Sequence, residues 1–161
     1  MLYMPNDSSV AIRNAKPDDA TPLAELARAL GESTEAARFS QDIAQHAQGF
    51  YVAEVDGSAS GYLVMRIEQH PGCVAGRSPI QLWRLFVAAE HQGTGVAASL
   101  IFQAFDHARA RAHDVVWLGT SENNARAIAF YRKHGFHSVG VAQLHHGHDP
   151  HQDLIMSCTV Q

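Results

Sequence analysis

The run from Leu82 to Ala98, Leu-Trp-Arg-Leu-Phe-Val-Ala-Ala-Glu-His-Gln-Gly-Thr-Gly-Val-Ala-Ala, constrains the fold more than any other stretch of the chain. Its first half is bulky, apolar and β-favouring, as a buried strand must be, and its second half is a small-residue turn opening onto a helical pattern. Gly93 and Gly95 let the backbone approach a ligand with no Cβ in the way, and the first-turn N–H groups of the following helix face outward towards an anion. The stretch therefore predicts a strand, a turn and a helix arranged to hold phosphate.

Three readings compete for it. A P-loop needs Gly-Lys-Ser/Thr after its spacer, and no Lys lies between Pro17 and Lys133. The dinucleotide fingerprint G-x-G-x-x-A is matched by Gly93, Gly95 and Ala98. However, five residues separate Val87 from Gly93, and Val115 and Val116 stand where an acidic residue is wanted. The third pattern, Q-x-x-G-x-A, is satisfied by Gln92, Gly95 and Ala97. A tight strand-to-helix turn without a ligand is the bland alternative to all three.

The rest of the chain supplies the setting. Val10 to Arg13 predicts a first strand, and Thr21 to Leu30 a helix capped by Asp18 or Asp19 and stopped by Gly31. Ser33 to Gln48 predicts a second helix capped by Ser33 or Thr34. Phe50–Val55 and Gly61–Ile67 read as strands around Asp56-Gly57, a strong hairpin signal. After a loop from His70 to Ser78, Ile80–Val87 forms the strand of the opening argument. A helix follows from Gly95 to about Ala112, with Ala97, Leu100, Ile101, Ala104, Phe105 and Ala108 as its apolar stripe. Val115–Thr120 is the next buried strand, so strand, helix and strand make a right-handed parallel crossover. The segment Ser121–Phe136 reads as a capped helix stopped by Gly135, and Phe136–Val141 and Asp153–Val160 close the sheet around a His-rich loop.

Length, charge and cysteines narrow the classes. At 161 residues, 46% of them hydrophobic, the chain reads as one globular domain, residues 1–161, with no internal repeat or linker. A formal charge of −4 argues against a nucleic-acid partner, and no apolar run is long enough to predict a membrane span. The start lacks a basic region followed by an apolar core, which predicts no secretory signal. Cys73 and Cys158 have no metal or redox spacing and read as reduced thiols in a cytoplasmic protein.

A second block decides between the readings. The run Asn-x-x-Ala-Ile-x-x-Tyr-x-x-x-Gly-Phe, formed by Asn124, Ala127, Ile128, Tyr131, Gly135 and Phe136, follows the first block by one helix and one strand. Together the two blocks resemble the signature of the GNAT acetyltransferase superfamily, over about Ile80 to Val160. Trp117-Leu118-Gly119 and Asp153-Leu154-Ile155-Met156 look closest to its bacterial polyamine-type and small-molecule N-acetyltransferases. The resemblance implies an α/β fold with a mixed, mostly antiparallel central sheet, a splayed parallel strand pair and about four flanking helices.

It also implies acetyl-CoA as co-substrate and direct acetyl transfer to a primary amine of a small molecule or peptide. The diphosphate would sit in the amides of Gln92, Gly93, Thr94, Gly95, Val96 and Ala97, which suits two negative charges. The main chain of Leu85, Phe86 and Val87 would pair with the pantetheine and place an N–H beside the thioester carbonyl. Tyr131 matches the residue that protonates the departing thiolate, Asn124 would contact the pantetheine region, and Phe130 and Lys133 would line the cofactor arm. Packing for Tyr131 and helix capping for Asn124 are the structural alternatives; Asn124 and Tyr131, seven residues apart, share one helix face about 10 Å apart.

The general base is the open point. Relatives often carry Glu where Gln81 stands, and Gln cannot take a proton. Glu122 is placed first, with Glu68 and a histidine of the His-rich loop as alternatives, and dipole compensation at a helix start is the competing role of Glu122. His145, His146, His148 and His151 read as a solvated loop bordering the acceptor rather than a metal site, so no metal is expected. Relatives are often dimers, and a homodimer stays open. The rival functions are a non-catalytic acyl-CoA-binding sensor and a dinucleotide-dependent oxidoreductase.

Overall fold

In a computed structural model of the chain, residues 10–29, 31, 34–144 and 152–161 are described. Seven strands form one mixed sheet: β1 (Val10–Asn14), β2 (Phe50–Val55), β3 (Ser58–Arg66), β4 (Pro79–Val87), β5 (Val115–Ser121), β6 (His137–Gln143) and β7 (Gln152–Thr159), in the order β1-β2-β3-β4-β5-β7-β6. Among the described residues four α-helices accompany them: α1 (Ala20–Ala29), α2 (Ala36–Gln45), α3 (Val96–Ala110) and α4 (Ala125–Lys133). The sheet is mostly antiparallel with one parallel pair, β4 with β5, as the resemblance implied. None of the described helices is long and apolar enough to cross a membrane.

The described residues fall into two compact units, one built from the chain up to Val64 with Arg84–Leu100, the other from Met65–Trp83 with Ile101–Gln161. In the first, β1 pairs antiparallel with β2 from Val10 opposite Val55 to Asn14 opposite Tyr51. The predicted hairpin is present: Asp56 (φ +51) and Gly57 (φ +81) both occupy the left-handed region, as a two-residue turn matching strand twist requires. β3 begins at Ser58, three residues before the predicted start, because Ser58 and Ala59 pair with Val55 and Glu54 across that turn. Leu23, Ala24 and Ala27 of α1 and Phe39 and Ile43 of α2 are buried. Tyr62 gathers three rings: Phe39 edge-on at 5.4 Å, Phe50 stacked at 5.7 Å and Phe86 stacked at 5.2 Å. A Cβ on Gly61 would lie 2.5 Å from the Phe86 carbonyl oxygen, so only glycine lets β3 approach β4 there.

Two helix starts differ from the sequence reading. A 3₁₀ turn, Pro17–Asp19, precedes α1, and the Asp19 carboxylate accepts from the Lys16 N–H at 2.7 Å while also gripping Arg13. α2 starts at Ala36, with Glu35 at its N-cap position and no side-chain cap, so Thr34 lies outside it, and the alternative Ser33 lies outside the described residues.

In the second unit, the start of β4 pairs in parallel with β5, Pro79 with Val115, Ile80 with Val116 and Gln81 with Trp117. β7 inserts between β5 and β6, antiparallel to both. Val74, Val115, Trp117 and Ile155 make a buried cluster, and Phe105 of α3 stacks on Phe136 at 5.8 Å. Helix α4 stops as predicted at Gly135 (φ +96): the N–H of Phe136 donates back to the Tyr131 carbonyl at 3.0 Å, the six-to-one bond of a glycine-terminated helix. Asp114 accepts from the N–H groups of Arg77 and Ser78, both at 2.8 Å, and so ties the loop before β4 to the start of β5.

Candidate functional site

The first unit carries the predicted anion cup. The apolar strand β4 brings Leu85, Phe86 and Val87 to its end, where the Ala88 N–H donates to the Ser60 carbonyl at 2.8 Å. A 3₁₀ turn, Ala89–His91, then leads into the glycines. The Gln92 side-chain amide donates back to the Val87 carbonyl at 3.4 Å, so the first residue of the Q-x-x-G-x-A pattern braces the loop against the strand that feeds it. Thr94 closes the turn with its N–H (3.3 Å) and its hydroxyl, both donated to the His91 carbonyl.

Gly93 (φ +79) and Gly95 (φ +95) hold the left-handed conformation that L side chains rarely adopt. A Cβ on either would meet no atom within 4 Å, so the requirement for glycine is one of backbone conformation rather than space. Ser99 donates through both its N–H and its hydroxyl to the Gly95 carbonyl at 3.0 Å, the first helical bond of α3. The N–H groups of Val96, Ala97 and Ala98 therefore precede the helical ladder and lie at the positive end of the helix dipole. Donors in this arrangement suit a diphosphate.

The second unit carries the predicted acid. Tyr131 lies on α4 between Phe130 (5.4 Å, 66°) and Phe136 (5.6 Å, 69°). Burial pushes its phenol up to about 12, so it keeps its proton at any working pH. Asn124 caps α4: its side-chain oxygen accepts from the Ala127 N–H at 3.1 Å, which establishes the capping role. Phe130 is half-buried, with the His134 ring 4.7 Å away, and Lys133 is exposed. Glu122 is exposed immediately after β5 and ahead of the α4 cap. Among the described residues no three His, Cys, Asp or Glu side chains converge to hold a metal ion. His145, His146, His148 and His151 lie outside the described residues.

At the Gln81 position the structure adds a residue that sequence reasoning did not single out. Arg66 Nε donates to the Gln81 side-chain oxygen at 2.7 Å, and its guanidinium lies 4.0 Å from the centroid of the Trp83 ring. Glu68, the second candidate base, is half-exposed with a carboxylate oxygen 3.8 Å from Arg66 Nη1. The only sequence signal was Arg at the end of a hairpin strand, which gives no partner until the register with β4 is known.

A mixed seven-stranded sheet with one parallel pair, and a glycine turn after a central strand that leads into a helix start, defines an α/β protein with a cup of helix-start N–H donors. The chain belongs to the Acetyltransferase (GNAT) family, whose profile matches residues 18–136. N-acetyltransferase 8 of Mus musculus is 34% identical over 92 residues, which cover 57% of this chain and 40% of that protein. The chain thus spans about two fifths of the length of that curated relative. Ard1 from Thermoplasma volcanium matches with a TM-score of 0.79 at 22% identity, over 95% of this chain and 99% of that one. PaiA N-acetyltransferase from Thermoplasma acidophilum, solved in complex with coenzyme A, matches with a TM-score of 0.71 at 19% identity, over 94% and 99% of the two chains. At these identities the structural likeness is one of fold.

Proposed function

We propose that this chain is an acetyl-CoA-dependent N-acetyltransferase that moves the acetyl group directly to a primary amine of a small molecule or peptide. The observation that carries the reading is the glycine turn: two left-handed glycines and the N–H groups of Val96, Ala97 and Ala98 form a donor cup that fits the coenzyme's diphosphate. The main chain of Leu85, Phe86 and Val87 is assigned to the pantetheine and thioester carbonyl, and Asn124, Phe130 and Lys133 to the cofactor's arm.

In the reaction the neutral amine attacks the thioester carbon, the C–N bond forms and the C–S bond breaks. Tyr131 gives its phenolic proton to the departing thiolate and regains one from solvent, while the proton lost by the amine leaves through Glu122 or water. A phenol held up to about 12 is fully protonated when the thiolate appears, as an acid must be. The two cysteines are free, which suits the reducing cytoplasm proposed for the protein.

Calorimetric titration with acetyl-CoA and with NADH, followed by an amine library scored for free thiol, tests the reading. Binding of acetyl-CoA and thiol release are expected. Binding without release over the whole library would favour an acyl-CoA sensor, and binding of NADH alone would favour an oxidoreductase.

A further inference from the structure

Helix α4 and its caps, Asn124 to His134, carry Arg126, Arg132 and Lys133 and no acidic side chain, in a chain whose formal charge is −4. Arg132 and Lys133 stand in the last turn, where a cation offsets the helix dipole. Arg126 stands in the first turn, where the same dipole works against it, so the helix itself gives no reason for its charge. Among the described residues none of the three forms an ion pair with a carboxylate. Arg126, Phe130, Lys133 and His134 follow helical spacing and share one stripe of α4.

Aromatic rings adjoin these cations. Phe102 of α3 is 59% exposed, and its ring stands edge-on to His134 at 6.1 Å; the His134 ring in turn lies 4.7 Å from Phe130. Burial, with Lys133 adding to it, holds the His134 imidazole below the ordinary 6.5, so at pH 7 it is a neutral ring rather than a further cation. Asp106, one turn on from Phe102, is paired with Arg109 at 3.3 Å. All of these residues belong to the second unit. We propose that this face holds the adenosine 3′-phosphate end of the coenzyme: the adenine stacks on Phe102 beside His134, and Arg126 and Lys133 receive the 3′-phosphate. This rests on the acetyl-transfer reading above, and it gives a role to Phe102, Arg126 and His134, which that reading leaves unassigned.

An exposed phenyl ring beside a second aromatic ring accepts a flat heterocycle without matched donors and acceptors, because stacking alone holds it. Stacking by itself would not select a nucleotide; the cations do. A phosphate monoester carries a charge of about −1.5 to −2 at pH 7 and offers several acceptor oxygens. Arg126 and Lys133 are seven residues apart, about 10 Å along the axis, a span that side chains of their length can close on one phosphate. The same cations count against an apolar protein partner, since the cores of such interfaces are depleted of charge.

The test compares three donors on one acceptor: acetyl-CoA, 3′-dephospho-acetyl-CoA and acetyl-pantetheine, which lacks the nucleotide. In the wild type kcat/KM should fall in that order. Phe102→Ala should raise KM for both nucleotide donors about tenfold and leave acetyl-pantetheine within about twofold of its wild-type value. Arg126→Gln should cut the preference for acetyl-CoA over its 3′-dephospho form by about threefold or more. Both side chains are exposed, so the variants should keep the wild-type melting temperature. Equal losses on all three donors, or no loss on any, overturn the inference and leave acetyl transfer standing. If no amine yields free thiol, calorimetry with adenosine 3′,5′-bisphosphate decides. Binding that each variant weakens would keep the nucleotide face while acetyl transfer falls, and no binding to the wild type would overturn both.

Discussion

The ring of Tyr131 meets Phe136 edge-on, with centroids 5.6 Å apart and planes at 69°. The contact belongs to the phenyl ring, so it separates the packing role of this residue from its proposed proton. Tyr131→Phe keeps the ring and removes only the hydroxyl. It should lower kcat by about 10²-fold or more, the usual scale for a lost general acid, with a melting temperature within about 2 °C of wild type. Since burial holds the phenol up to about 12, the wild-type kcat profile should show no limb from this group between pH 6 and 10. Unchanged kcat in the Phe variant would leave Tyr131 as a packing residue.

Gly95 at φ +95 tests the cup. Gly95→Val asks a β-branched residue to adopt the left-handed region, at a cost of roughly 1–2 kcal/mol, although no atom stands within 4 Å of the new Cβ. The backbone will relax by turning the local N–H groups away from their common focus. Acetyl-CoA affinity should drop at least tenfold by calorimetry, about 1.4 kcal/mol or more. Adding a side chain at Gly57, also left-handed but at the β2–β3 turn, should destabilise the protein comparably while leaving the Kd unchanged.

Much of this was legible from sequence where local chemistry decides the outcome. Asp56-Gly57 specified its turn, Gly135 its helix stop, and the apolar runs of β4 and β5 their strands to within one residue. The glycine turn announced itself because only a special backbone needs Gly at both 93 and 95. Legibility failed where the deciding partner is distant. Ser58–Ser60 has little β-propensity and joins β3 only through hairpin register. Asp19 looked like a helix cap, yet its main partner is Arg13, and Arg13 also reaches Glu54, 41 residues away. The Arg66–Gln81 bond spans 15 residues and two strands, so the sequence could expose the missing base but not what had taken its place.

His107 on α3 gives the fold a dependence on mild acid. It is 4% exposed, and burial, aided by the positive Arg111 and by His113, holds its imidazole down to about 4 against an ordinary 6.5. Between these values the unfolded chain binds a proton that the folded chain refuses. The stabilisation is therefore whole above pH 6.5 and is lost as pH falls towards 4, by roughly 3 kcal/mol in all. His107→Gln should flatten the urea-unfolding free energy over that range relative to wild type. Parallel pH profiles for the two proteins would show that His107 does not supply the slope.

Asp19 works in the opposite corner of the pH scale and in the first unit. Its two oxygens accept from Arg13 Nη1 and Nη2, both at 2.8 Å, and one also accepts from the Lys16 N–H at 2.7 Å. The Arg13 hydrogen bonds are the main reason its carboxyl lies below the ordinary range, against the opposing pull of burial. A depressed carboxyl contributes stability that is present above the unfolded pKa of about 3.9 and is lost as pH falls below it. Asp19→Asn keeps the shape but leaves Arg13, still bound to Glu54 at 2.7 Å, without its second carboxylate. The expected loss is about 2–3 kcal/mol at pH 7, less than the removal of a fully buried partner because Arg13 keeps partial contact with solvent. At pH 3, below the unfolded value, the deficit should be smaller than at pH 7, since the contribution of the charge is then being lost. A deficit of the same size at both pH values would assign the effect to lost packing or to the Lys16 cap rather than to the charge.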